Sequence, residues 1–192
     1  MRFAFLKAPF FLGLSFTFLV GLSHKAQADD SFDHQTWHFL SNTGNILYLS
    51  AGVGIPLIED GRAGRNHSLR SLDALGTSVL FSEGLKRLVQ EKRPDSSEHD
   101  SFPSGHATAA FSVATVESGL HPKQAFYWYA GAALISASRV GLHRHTDGDV
   151  LAGAVLGYSV GRWEMSSKRG LLLAPFIQPD RHAVGLFISG RM

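Results

Sequence analysis

The sequence predicts an all-α fold, a helical bundle of about five helices to which the tail adds the pattern of a short β-hairpin. Three observations predict it. Leucines and valines recur at three- and four-residue spacing through residues 71–92, at Leu72, Leu75, Val79, Leu80, Leu85 and Leu88. Of two further segments, 107–117 is small and apolar and 149–162 is rich in Ala and Gly, and both suit close helix packing. Between them lie polar loops, of which 94–104 is kept from helicity by Pro94 and Pro103.

The elements follow in order. Arg2 and Lys7 precede an apolar stretch over 8–22, and Ala26-Gln27-Ala28 stands just before Asp29-Asp30. A basic start, an apolar core and an A-x-A site form a secretory signal over residues 1–28, leaving one domain over 29–192 and an exported, periplasmic protein. Removing Arg2, Lys7 and Lys25 from the 18 Lys and Arg leaves 15 against 16 acidic side chains. The mature chain is therefore not basic, and no basic run marks a nucleic-acid partner. There are no cysteines, which excludes disulfides, thiolate nucleophiles and Cys-ligated zinc.

Residues 29–45 are polar, with Trp37, Phe39 and Leu40 as packing points, and 46–58 are apolar but interrupted by Gly52, Gly54 and Pro56. Residues 61–67 read as a loop. Pro122 starts a helix from Lys123 to about Val140. A loop over 141–148 leads to the last helix, and the segments 171–177 and 183–188 flank the turn of the hairpin. A membrane span needs about 20 apolar residues. The runs inside Lys123–Arg139 and Asp149–Arg162 hold 15 and 12, so the domain reads as soluble or membrane-peripheral, with 35–58 and the hairpin as candidate membrane contacts.

Chemistry concentrates in three places. Ser104-Gly105-His106 opens a helix, whose first N–H groups bind anions; alone this is an ordinary capped start. His145 and Asp149 are four apart, close enough for a carboxylate to fix a ring tautomer and leave the other nitrogen bare. Alone the pair is surface decoration. Lys86 and Arg93, about two helical turns apart, alone make a solvated basic face.

The combination is specific. Lys86…Arg93-Pro94, then Pro103-Ser104-Gly105-His106, then Ser138-Arg139…His145…Asp149 and Val150-Leu151-Ala152-Gly153, all within 86–153, resembles the three-part signature of the type 2 phosphatidic acid phosphatase superfamily. That superfamily has a helical-bundle core. It includes bacterial non-specific acid phosphatases, lipid phosphate phosphatases, glucose-6-phosphatase and vanadium haloperoxidases.

The resemblance implies that His145 attacks phosphorus to form a phosphohistidine while Asp149 orients its ring. It implies that His106 protonates the leaving oxygen and then activates water. Lys86, Arg93 and Arg139 would bind the equatorial oxygens, with Ser104 and the Gly105 N–H completing the cradle. It implies no metal and no cofactor. The substrate would be a phosphorylated lipid, such as phosphatidate or an isoprenoid pyrophosphate, or a soluble phosphomonoester. The competing readings are a vanadate-dependent haloperoxidase, with vanadium on His145, and a non-catalytic phosphate-binding module. His143, Arg144 and Asp147 read as loop residues shaping the entrance, and His99 and Asp100 as residues that do not touch substrate. Trp128, Tyr127 and Tyr129 read as packing.

Overall fold

The computed structural model describes residues 30–167, 173–178 and 183–188; the expected signal over 1–28 lies outside them. Helix α1 (Asp30–Phe39) runs through a π-helical turn at Leu40–Gly44 into α2 (Asn45–Glu59). A 3-10 turn (Gly61–Ala63) leads directly into α3 (Gly64–Val89). After a long loop come α4 (Gly105–Leu120), a 3-10 turn at Pro122–Gln124, α5 (Ala125–Gly141) and α6 (Asp147–Ser166). Helices α2–α6 form the bundle. Strands β1 (Leu173–Gln178) and β2 (Ala183–Ile188) pair antiparallel, with Leu173 opposite Ile188 and Gln178 opposite Ala183. The hairpin's turn lies outside the described residues.

Helix α4 is the axle. Ala107, Ala110, Val113, Ala114 and Val116 on it are fully buried, and their small side chains let neighbouring helices come close. A core of Ala110, Val113, Ala114, Trp128, Ala132 and Ile135 joins α4 to α5, and the Tyr48 hydroxyl ties α2 to it by donating to the Trp128 carbonyl at 2.8 Å. Helix α6 approaches α4 most closely along Gly153, Gly157 and Gly161. A Cβ on Gly153 would lie 2.6 Å from the Ser104 carbonyl oxygen, and one on Gly157 would land on the Thr108 carbonyl. Because the obstacle is backbone, Gly157→Ala is expected to destabilise by about 1–3 kcal/mol or more. A fall in the urea midpoint at unchanged slope would register it; a neutral result would mean the helices are farther apart.

Several expectations change. Residues 46–58 form one helix despite Pro56, which lies in its last turn and leaves the Gly52 carbonyl without its helical N–H partner. The chain stops at Asp60, whose N–H donates to the Pro56 carbonyl at 3.1 Å, and turns at Gly61 with φ +55°. Residues 61–67 are not a loop but a 3-10 turn and the first turn of α3, since nothing after Gly61 forbids helical dihedrals. Trp37 packs over Gly141, whereas Phe39 is 54% exposed and packs on nothing comparable.

Helix α3 turns its polar stripe inward. Ser71, Thr77, Ser78, Ser82 and Ala74 are buried, while Leu72, Leu80 and Leu88 are exposed. The small hydroxyls allow close approach to α4, and two of them find partners on it. Ser78 Oγ donates to Ser112 Oγ at 3.1 Å and Ser71 Oγ to the buried Glu117 carboxylate at 2.5 Å.

Candidate active site

Helix α3 delivers Lys86 from its last turn. Gln90 takes a left-handed conformation (φ 52°, ψ 40°) and closes the helix with its N–H on the Lys86 carbonyl. Arg93 is therefore in the following loop rather than on the same helix face. What aligns the two cations is Asp100. Its carboxylate accepts from Arg93 Nε and Nη2 at 2.6 and 2.9 Å, and its carbonyl accepts from Lys86 Nζ at 2.8 Å. The guanidinium beside it holds the Asp100 carboxyl below its usual range.

The same loop ends at α4. Ser104 occupies the N-cap in an extended conformation, but its side chain caps nothing. Its buried Oγ has no hydrogen-bond partner among the described residues. The Lys86 side chain runs beside Gly105, which puts an ammonium group next to the N–H groups that begin α4.

Arg139 comes from the last turn of α5 and is 7% exposed. Its Nη1 donates to Ser41 Oγ, delivered by the π-helical turn, and its Nε has no partner among the described residues. Burial, reinforced by Arg93 and Arg144, brings its pKa down to about 10, so it remains a cation at neutral pH. The chain then turns back on itself through His143 at φ 55°. The N–H groups of Arg144 and His145 both return to the Arg139 carbonyl, at 3.0 and 3.3 Å.

Asp149 is fixed by the start of α6. Thr146 and Asp149 form a reciprocal capping box, with Thr146 N–H on Asp149 Oδ2 at 2.8 Å and Asp149 N–H on Thr146 Oγ1 at 3.2 Å. The Asp149 carbonyl accepts from Ser104 N–H at 3.0 Å, joining the second stretch to the third. His145 Nδ1 lies 3.8 Å from Asp149 Oδ2, an ion-pair distance beyond hydrogen-bond reach. Ser101 stands between them, donating to Asp149 Oδ2 at 2.7 Å and 3.5 Å from His145 Nδ1. Nε2 is the nitrogen of His145 left without a carboxylate.

The electrostatics gather these groups around one locus. His106 and His145 are each pushed down to about 4, by burial first and then by repulsion from Arg139, with Lys86 and Arg93 contributing to both. Both imidazoles are neutral at pH 7. An unfolded histidine has a pKa near 6.5, so between about pH 4 and 6.5 the unfolded chain binds more protons and stability falls as pH drops. From 2.5 units of depression, each imidazole costs about 2 kcal/mol by pH 4.5, or about 4–8 °C in Tm for a chain of this size. Melting from pH 7 to 4.5 is expected to show a shallower fall in His145→Ala than in wild type. Equal slopes would mean that His145 is not a buried, cation-facing base.

These contacts and repulsions bring together Lys86, Arg93, Ser104, Gly105, His106, Arg139, His145 and Asp149. Three participants carried no signal of their own: Ser41 and Ser101 belong to no motif, and Asp100 reads from sequence as an ordinary loop acid. Outside the cluster, Arg144 Nε pairs with Asp95 Oδ2 at 3.0 Å and ties two entrance loops. Trp128 is core, whereas Tyr127 is 73% exposed. A polar hollow of ≈ 500 Å³ adjoins the site, lined by Glu83, Lys86, Arg87, Gln90, His99 and Asp100.

A model of the PAP2 superfamily matches residues 69–171, more than half of the chain and all three stretches. The chain belongs to the PAP2 superfamily. The lipid A 1-phosphatase of Porphyromonas gingivalis is 36% identical over 95 residues, which are 46% of this chain and 21% of that protein. The chain thus spans about a fifth of the length of the curated relative it matches. The crystal structure of Aquifex aeolicus LpxE superposes with a TM-score of 0.55 at 22% identity, over 77% of this chain and 92% of that one. That likeness concerns the fold.

Proposed function

We propose that this PAP2 chain is a metal-independent phosphatase acting on phosphate esters through a phosphohistidine. The observation that carries the reading is the meeting of two neutral imidazoles, His145 buried and His106 half-buried, with three cations at the start of α4. His145 Nε2 attacks phosphorus in line, and the leaving oxygen takes a proton from His106. Water, deprotonated by His106, then cleaves the N–P bond and frees phosphate. Lys86, Arg93 and Arg139 stabilise the equatorial oxygens, where charge accumulates, and Ser104 Oγ and the Gly105 N–H complete the cradle. Ser101 and Asp149 hold the attacking ring. His106 at a resting pKa of about 4 cannot serve as an acid at neutral pH. Burial is the largest cause of that depression, and repulsion from Arg139, Lys86 and Arg93 adds to it; an arriving phosphate offsets the cationic part and so favours the protonated ring where it is used.

The substrate we favour is a lipid phosphate. The relative from P. gingivalis is named for one, the hollow beside Lys86 is polar enough for a headgroup, and apolar side chains stand exposed on α2 and α3, among them Ile46, Leu47, Ile58, Leu80 and Leu88. No helix among the described residues is long and apolar enough to cross a membrane. We therefore place the enzyme in the periplasm after removal of residues 1–28, in peripheral contact with lipid.

The test is a substrate panel on the purified protein without added metal, with and without detergent micelles. Phosphate release from p-nitrophenyl phosphate that vanadate suppresses supports the phosphatase reading. Halide oxidation that requires vanadate would replace it with the haloperoxidase. Equal rates on soluble and lipid esters would remove the lipid preference.

A further inference from the structure

At the other end of α4, far from the phosphate site, lies a second cluster of chemically active side chains. Asp60 follows α2, His67 lies in the first turn of α3, and His121 follows the last residue of α4. His67 Nδ1 is 2.6 Å from Asp60 Oδ2, and His121 Nε2 is 2.9 and 3.1 Å from the two oxygens of the same carboxylate. One ligand atom from each of the three residues lies within 4.8 Å of the others. The two imidazole rings stand edge to face, 6.1 Å apart.

We propose that Asp60, His67 and His121 form a zinc-class metal site that clamps the ends of three helices. The ligand set is two imidazoles and a carboxylate, a combination that suits zinc and leaves a fourth position for water. A tetrahedral ion with bonds of about 2.0–2.1 Å sets its ligand atoms roughly 3.3 Å apart. The two His–Asp separations, 2.6 and 2.9 Å, would open by a few tenths of an ångström to reach it, and the two imidazole nitrogens already lie within 4.8 Å of each other.

The second observation concerns the other nitrogen of His121. Its Nδ1 lies 3.2 Å from Glu117 Oε2. Glu117 is fully buried, and its other oxygen accepts from Ser71 at 2.5 Å. A ligating histidine characteristically donates its second N–H to a carboxylate that is itself held, which fixes tautomer and ring orientation. Here Glu117 fixes His121 so that Nε2 faces Asp60. The site also has access: the His67 and His121 side chains are 27% and 19% exposed, so an ion can enter without unfolding. The two carboxylates, one of them wholly enclosed, favour a cation among them.

The site is structural. Helix α4 has 16 residues, so its two ends are about 24 Å apart, and none of these side chains borders the phosphate cage. Bound zinc would hold the α2–α3 turn against the end of α4.

The experiment is zinc titration by calorimetry of the full chain, stripped with chelator, at pH 7.5, with melting in parallel. One zinc per chain is expected, with Tm raised by roughly 5–10 °C at a hundredfold excess over Kd. His67→Ala should weaken binding at least tenfold, and Glu117→Gln by about 10–100-fold. His34→Ala, on the separate α1 pair His34–His38, should change nothing. Zinc affinity is read independently of turnover, so it stands or falls apart from the phosphatase reading. No stoichiometric zinc on wild type, wild-type affinity in His67→Ala, or loss of zinc in His34→Ala would each overturn the site.

Discussion

His145→Ala is expected to lower kcat for phosphate release by at least about 10⁴-fold, the scale seen when a covalent nucleophile is removed from an enzyme that keeps its binding groups. The structural grounds are the burial of the ring, 3% exposed, and its neutrality at pH 7 with Nε2 free of any carboxylate. Among the described residues no second imidazole is held in the same way: His106 is coupled to the backbone of Ser41 instead of to Ser101 and Asp149. The substitution removes an uncharged side chain, so the three cations remain and vanadate should still bind. Rapid-quench labelling with a ³²P-substrate provides the second readout, since an acid-labile phosphoenzyme should form on wild type and vanish in the variant. Activity within tenfold of wild type would move the nucleophile elsewhere.

The second large effect is expected at Arg139. Arg139→Lys keeps the charge but loses the fork, and kcat should fall about 10²–10³-fold, as when one preorganised donor is taken from a developing oxyanion. The geometry explains why lysine does not substitute. Nη1 is committed to Ser41 Oγ, which holds the guanidinium plane, and the buried Nε is the donor without a partner among the described residues. A lysine has one terminal group for both tasks. Ser41→Ala should produce a smaller loss in kcat, because it frees the fork without removing it. If Arg139→Lys is nearly as active as wild type, Arg139 serves only as a charge, and the argument from its two edges fails.

The elements were more legible in the sequence than their faces. Spacing located α3, yet Leu72, Leu80 and Leu88 point outward and its serines inward; periodicity reports a helix, whereas the inward face here is chosen by closeness to α4. Gly153, Gly157 and Gly161 carry the same message from the other side, as small residues that admit a neighbouring backbone. Pro56 and the glycines of α2 read as breaks because local propensity ignores tertiary packing: Gly52 lies against Val113 and Pro56 is buried, and that packing holds the helix through its proline. In the site, the three motif stretches were legible because their residue types recur in a fixed order. Ser101 was not, since a loop serine has no local signature and its position between Asp149 and His145 exists only after folding. Ser41 was invisible for the same reason, 98 positions from the arginine it meets. The capping box of Thr146 and Asp149 was readable from T-x-x-D and would have started α6 two residues earlier.

The pairing of Asp100 with Arg93 has a consequence for turnover. The resting protein keeps its own anion in the fork. On the proposed mechanism, an incoming ester would have to displace that internal rival before using Nε and Nη2 of Arg93, and the same carboxylate would be at hand to reclaim the guanidinium once phosphate is formed.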